Sequence, residues 1–151
     1  MQRVDWTEEY ELGIDVIDDQ HKRIVDYINK LADAGPDITS EELSEVVDSL
    51  VDYTYSHFAF EEALMEEVEY ENLSAHLQSH EAFTKRVKEL HHRFCEGESV
   101  NEELGELLKH WLLNHIKEDD RSYAPVVKKN LAENEGKSDD NALSSVISRF
   151  F

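Results

Sequence analysis

His57 and Glu61 stand four residues apart, and so do His76 and His80. Successive residues of an α-helix turn about 100°, which leaves positions i and i+4 only about 40° apart. Each pair can therefore present two donors to one point. His21 precedes Ile24 and Val25 by three and four residues, and His115 follows Trp111 by four. Apolar neighbours at those steps mark a buried helix face, so all five histidines and Glu61 are expected to point inward. A lone core histidine is ordinarily just hydrogen-bonded. Five, spread over separate helices, are best satisfied together by metal, because imidazole is the commonest metal ligand and an unpaired buried polar group is costly. About seven N and O donors, counting a carboxylate just beyond His115, are too many for one tetrahedral zinc. Without a thiolate in the set, they favour iron or manganese over softer metals. Two such cations side by side repel, and carboxylates bridging them offset that charge.

Four helices must bring these residues together. One is expected from a cap at Asp18 or Asp19 to about Ala34, stopped by Gly35-Pro36. Thr39 and Glu42 have capping-box spacing and open a long helix to about Val68. Asn72 or Ser74 starts a third, ended near Gly97. Asn101 starts a fourth, which should end or bend before Pro125. Their apolar stripes run through Ile24, Val25, Ile28 and Leu31, through Val47, Leu50, Val51 and Leu64, through Leu73, Leu77, Phe83, Val87 and Leu90, and through Leu104, Leu108, Trp111 and Leu112. Four amphipathic helices on short loops predict an all-α, antiparallel up-down-up-down bundle. Residues 1–20 read as an arm that buries its aromatics across the body. The expected bundle domain is 1–132, and 133–151 reads as a polar linker with a short amphipathic tail.

Composition narrows the partners. Fifteen Lys plus Arg against 35 Asp plus Glu give a formal charge of −20, which disfavours nucleic acid and anionic membrane. No apolar run approaches the roughly 20 residues of a membrane span, and the N-terminal stretch lacks a secretory signal, so a cytoplasmic protein is expected. The single cysteine, Cys95, excludes an intramolecular disulfide and reads as a small buried hydrophobe.

The chain resembles a single-domain bacterial or archaeal hemerythrin. The resemblance is carried by Trp6-x-x-x-Tyr10-x-x-Gly13-Ile14 and Asp18-x-Gln20-His21, by His57-Phe58-x-x-Glu61-Glu62-x-x-Met65, by His76-x-x-x-His80, and by Trp111-Leu112-x-x-His115-Ile116-x-x-x-Asp120-x-x-Tyr123. It spans residues 6–123. It departs at Glu71, where many bacterial relatives have proline, and the segment after about residue 132 has no counterpart in short members. The resemblance implies two non-haem irons joined by an oxo or hydroxo group. One would be held by His76, His80 and His115, the other by His21 and His57, with Glu61 and Asp120 bridging both. The first iron would then have six ligands and the second five, leaving a position for dioxygen. Ile24, Phe58, Trp111, Leu112 and Ile116 are the expected walls of a dry oxygen pocket.

Two points stay open on the residues alone. Asp119 is the regular i+4 partner of His115, whereas Asp120 lies about 140° away on an ideal helix. If Asp120 is the ligand, as the resemblance favours, a π-type turn or a break must lie between them. Tyr53 sits one turn before His57 and reads as packing, Glu62 as a residue that is either solvated or set behind a metal ligand, and His91, His92 and His110 as surface residues. The implied function is reversible dioxygen binding for storage, transport or delivery, by a monomer and without turnover. The alternatives are a diiron enzyme of peroxidase or nitric oxide reductase type, and an oxygen or redox sensor module. The tail stripe Leu143, Val146, Ile147, Phe150 and Phe151, capped at Asp139, Asp140 or Asn141, must dock on the bundle or on a protein partner or else stay disordered, because so short a helix does not persist alone.

Overall fold

A computed structural model describes residues 1–35, 37–134 and 141–150. A 3-10 turn at Glu8–Tyr10 precedes α1 (Asp15–Ala32), α2 (Ser40–Glu67), α3 (Leu73–Cys95) and α4 (Asn101–His115). A π-helical turn, Ile116–Asp120, joins α4 to α5 (Arg121–Glu133), and α6 (Ala142–Phe150) closes the chain. Each of α1 to α4 packs on its sequence neighbours, and α4 returns to α1. The result is the four-cornered antiparallel bundle expected from short loops, with α4, the π turn and α5 as its fourth rod.

Local chemistry sets the corners. The capping box at the start of α2 is formed: Glu42 N–H donates to Thr39 Oγ1 at 3.1 Å, and the Glu42 carboxylate accepts from Thr39 N–H at 3.3 Å. α2 and α3 both end in a Schellman motif. At the end of α3 the left-handed residue is Gly97 (φ 96°), and Glu98 N–H reaches Arg93 O at 3.1 Å. At the end of α2 it is Glu69 (φ 54°), and Tyr70 N–H reaches Met65 O at 3.0 Å.

Several details differ from expectation. Helix α1 starts at Asp15, so the arm is shorter than 20 residues, and Asp18 lies inside the helix instead of capping it. Its buried carboxylate accepts from Leu12 N–H at 2.8 Å and Gly13 N–H at 3.0 Å, which clamps a turn made possible by Gly13 at φ 83°. The arm buries Val4, Leu12 and Ile14, while Trp6 and Tyr10 are only half covered. Leu77, placed on the α3 stripe by its period, is exposed. The fourth helix does end before Pro125, at His115, where the regular hydrogen-bond ladder opens into the π turn, and Pro125 itself lies within α5. Cys95 is exposed rather than buried, because α3 ends there.

Helix α6 packs on α2 and α5. Ala142 and Val146 are buried, Phe150 meets Phe60 edge-on at 5.5 Å, and Arg149 pairs with Glu67 at 3.0 Å. The tail's apolar stripe is thus taken up by the chain's own bundle. Asn141 serves its N-terminus, its Oδ1 accepting from Ser144 N–H at 2.7 Å. Pro36, the polar residues 135–140 with Asp139 and Asp140, and Phe151 lie outside the described residues. Among the described residues no helix is long and apolar enough to cross a membrane.

Candidate metal centre

Helix α2 sends His57 and Glu61 into the bundle one regular turn apart, and α3 does the same with His76 and His80. His21 enters from α1 and His115 from the end of α4. All six, with Asp120, are buried. The Nε2 atom of His115 lies 3.0 Å from Nε2 of both His76 and His80, so three imidazoles meet at one point. Nε2 of His57 and His21 form a second, smaller focus beside it.

The two carboxylates divide themselves between these foci. Glu61 Oε1 is 2.9 Å from His76 Nε2 and 3.1 Å from His80 Nε2, while its Oε2 is 3.0 Å from His57 Nε2 and 3.7 Å from His21 Nε2. Asp120 Oδ1 is 3.1 Å from Nε2 of both His76 and His115, while its Oδ2 is 3.2 Å from His21 Nε2. Two buried donor groups follow, Glu61-His76-His80-His115-Asp120 and His21-His57-Glu61-Asp120, each with its donor atoms within 4.8 Å of one another. They share both carboxylates.

Asp120 reaches this position through the π turn. It lies five positions after His115, and the wider i→i+5 turn at Ile116–Asp120 brings the two onto one side of the rod. Asp119, the carboxylate that a regular helix would aim inward, stands half exposed and accepts a hydrogen bond from His115 Nδ1 at 2.7 Å. The extra residue thus gives the rod two acidic positions, one in the cluster and one behind its imidazole.

Other imidazoles are backed in the same way. His57 Nδ1 donates to Gln20 Oε1 at 2.7 Å, and His80 Nδ1 approaches Glu62 at 3.4 Å. Such acceptors hold the proton on Nδ1 and leave the Nε2 lone pair turned inward, the arrangement found around metal-bound histidines. Tyr123, from α5, donates its O–H to Glu61 Oε2 at 3.2 Å. Burial, then the neighbouring Glu61 and Asp120 charges, push the Tyr123 phenol well above its ordinary range, so it stays a neutral donor. The spacing of 115 and 119 carried a signal for Asp119. Nothing in the sequence marked Gln20 as the partner of His57, because that contact crosses between helices.

Electrostatically the cluster sets buried imidazoles against two buried carboxylates. Burial works against charging His21 and His76, yet the facing Asp120 and Glu61 carboxylates outweigh it and raise them to about 9 and about 10. Burial and the nearby Glu61 charge oppose ionisation of Asp120, but the facing imidazoles of His115, His21 and His76 hold it at about 2. His57 is lowered, chiefly by burial. Even so, His21 Nδ1 and Nε2 and both Asp120 oxygens are buried with no hydrogen-bond partner of good geometry. Converging imidazole nitrogens beside orphaned carboxylate oxygens are what a pair of cations would satisfy, and a donor set of five nitrogens and two carboxylates suits iron.

The expected pocket walls lie around this cluster. Ile24, Phe58, Leu112 and Ile116 are buried, and Trp111 is half covered. Phe58 stacks on His80 at 4.0 Å and Trp111 on His115 at 4.2 Å, so both rings lie against the three-histidine side. Tyr53 is partly buried under Arg23, 4.9 Å above its ring, which is packing. His92 and His110 are exposed at the surface, whereas His91 is partly covered and paired with Asp48.

The sequence matches the description "Hemerythrin HHE cation binding domain" over residues 12–127. It is 47% identical over 147 residues to a bacteriohemerythrin of Pseudomonas aeruginosa (strain LESB58), covering 97% of this chain and 96% of that one. A bacteriohemerythrin of Stenotrophomonas maltophilia (strain R551-3) is 48% identical over 83% of this chain and 82% of its own. The chain belongs to the hemerythrin family. A solved structure, "Crystal structure of hemerythrin:wild-type", superposes with a TM-score of 0.76 at 34% identity, over 82% of this chain and 96% of that one. The hemerythrin match begins at Leu12 and ends at Val127, within α5, so the metal cluster falls wholly inside it and α6 lies outside.

Proposed function

We propose that the chain binds dioxygen reversibly at a pair of non-haem irons, as a binding protein for oxygen storage, transport or delivery and not as an enzyme. His76, His80 and His115 would hold one iron and His21 and His57 the other, and Glu61 and Asp120 would reach both. The observation that supports this most is the division of each carboxylate's oxygens between two foci with unequal numbers of histidines. The two-histidine focus offers one protein donor fewer than the three-histidine focus, so a metal held there would have more room for a small ligand. When bound, the iron pair supplies reversible electron transfer to dioxygen.

The chain's own residues do the rest. Gln20 and Asp119 fix imidazole tautomers through Nδ1, and Tyr123 steadies Glu61 through its hydroxyl. Ile24, Phe58, Trp111, Leu112 and Ile116 line the surroundings with apolar surface, and keeping water out favours release of oxygen unchanged. Among the described residues the one further buried carboxylate, Asp18, is already engaged by the Leu12 and Gly13 N–H groups. Membership of the hemerythrin family supports the oxygen-binding reading, and no observation favours the peroxidase, nitric oxide reductase or sensor alternatives. We further infer a monomer working in the cytoplasm, with neither nucleic acid nor membrane insertion, in keeping with the charge of −20. A protein partner on the 143–151 tail would meet only the outer edge of α6, where Phe150 is 42% exposed.

The test is the optical spectrum of the reduced protein, recorded without oxygen, in air, and after oxygen is withdrawn, alongside iron analysis. The reading expects two irons per chain and a spectrum that returns to its starting form. Irreversible oxidation with peroxide released in each cycle would overturn it in favour of the enzyme.

A further inference from the structure

At the end of the bundle away from the iron cluster, the start of α2 faces the end of α3. His91 and Cys95 are one turn apart on α3, and Asp48 faces them from α2. His91 Nε2 is 2.8 Å from Asp48 Oδ1, and the three donor atoms, including Cys95 Sγ, lie within 4.8 Å of one another. Asp48 is nine residues before His57, about 13 Å along the helix axis, so no ligand is shared with the buried centre. A cleft of about 480 Å³ opens beside the trio, lined by Leu43, Asp48, Phe94, Cys95 and Ser99 among others.

We propose that Asp48, His91 and Cys95 form a second, separate metal site that takes one divalent cation of the zinc class. Thiolate, imidazole and carboxylate together suit a borderline-soft ion and not magnesium or calcium, which take oxygen donors. Tetrahedral zinc with ordinary bond lengths places its donor atoms roughly 3.3–3.7 Å apart, a spacing that small rotations of these half-covered or exposed side chains reach. The cation replaces the His91–Asp48 hydrogen bond. The Cys95 thiol gives its proton to solvent and binds as thiolate, and neutral His91 binds through nitrogen. Three protein donors leave a fourth position, which the adjoining cleft exposes to water or an external ligand. The buried centre contains no sulfur and this site does, so the two select different metals.

Cys95 is the only cysteine, so any thiol reagent reports on this site alone. The experiment uses the full iron-loaded chain and follows the reaction of Cys95 with a disulfide thiol reagent, with zinc, with magnesium, or with neither. One equivalent of zinc should slow the reaction by about tenfold or more, since a metal-held thiolate is a poor nucleophile, and magnesium should not. Cobalt(II) should give a sulfur-to-metal charge-transfer band at one ion per chain. His91→Ala and Asp48→Ala should restore the unprotected rate, and Cys95→Ser should abolish the band, while iron content and the visible spectrum of all three variants match the parent. Zinc that leaves the thiol rate unchanged would overturn the proposal. Equal protection in His91→Ala and Asp48→Ala would do the same, since the thiol would then be meeting diffuse surface carboxylates.

Discussion

Helix α2 and the fourth rod perform the same task in different ways. Each delivers one histidine and one shared carboxylate to the cluster. On α2, His57 and Glu61 are four residues apart on an unbroken helix. On the fourth rod, His115 and Asp120 are five apart, and a π turn absorbs the surplus. The regular solution uses one residue fewer but has nothing on its own helix behind the imidazole, so His57 takes its Nδ1 acceptor from Gln20 on α1. The irregular solution carries its own acceptor, since the surplus residue lets Asp119 back His115. An inserted residue in a helix thus separates two roles that one carboxylate position cannot fill together.

Asp120→Ala should be the most damaging way to erase this difference. It removes the carboxylate that the π turn delivers to both foci and leaves the rod with only Asp119, behind His115. Loss of the iron pair is expected by metal analysis; a variant that keeps two irons would show that the π turn is dispensable. His76→Ala comes next. It removes the imidazole that faces both shared carboxylates, so iron analysis should find the pair lost and the melting temperature lowered, because the remaining inward donors lose their metal.

The two backing acceptors should then prove equivalent despite their different origins. Gln20→Ala and Asp119→Ala are each expected to weaken iron retention by about 10–100-fold, measured by competition with a chelator, without unfolding the chain. A large effect for one and none for the other would mean that one imidazole is held in place by packing alone. Tyr123→Phe should be mildest. Loss of one hydrogen bond to Glu61 is expected to cost about 1 kcal/mol in denaturant unfolding, with two irons still bound.

The same comparison explains what the sequence disclosed. His57-Glu61 and His76-His80 were readable because a regular helix preserves its period, and so was the Thr39–Glu42 capping box. Asp120 was readable only as a conflict, since the period pointed to Asp119 and the resemblance to Asp120, and the π turn resolves it by using both. Contacts across helices left no trace, which is why Gln20 went unassigned and Glu62 stayed open between solvent and a place behind a ligand. Asp18 misled because a helix-capping residue type was taken for a cap, whereas its carboxylate reaches back to a turn opened by Gly13. Cys95 misled because burial was inferred from residue type, while its place at the last turn of α3 exposes it. The tail's amphipathic stripe was legible; the surface that receives it, on α2 and α5, was not.

That receiving surface bears on how the protein behaves in concentrated solution. Helix α2 buries Phe60 as well as the inward residues His57, Phe58, Glu61 and Leu64, and Phe60 meets Phe150 of α6. Truncation after Asn134 should leave the iron cluster whole and uncover an aromatic strip on an otherwise strongly acidic body. Such a strip invites pairing between molecules. The shortened chain is therefore expected to hold iron as a monomer when dilute and to associate as its concentration rises, which light scattering over a dilution series would reveal. Helix α6 then acts as a built-in dispersant, an intramolecular substitute for the neighbour that α2 would otherwise recruit.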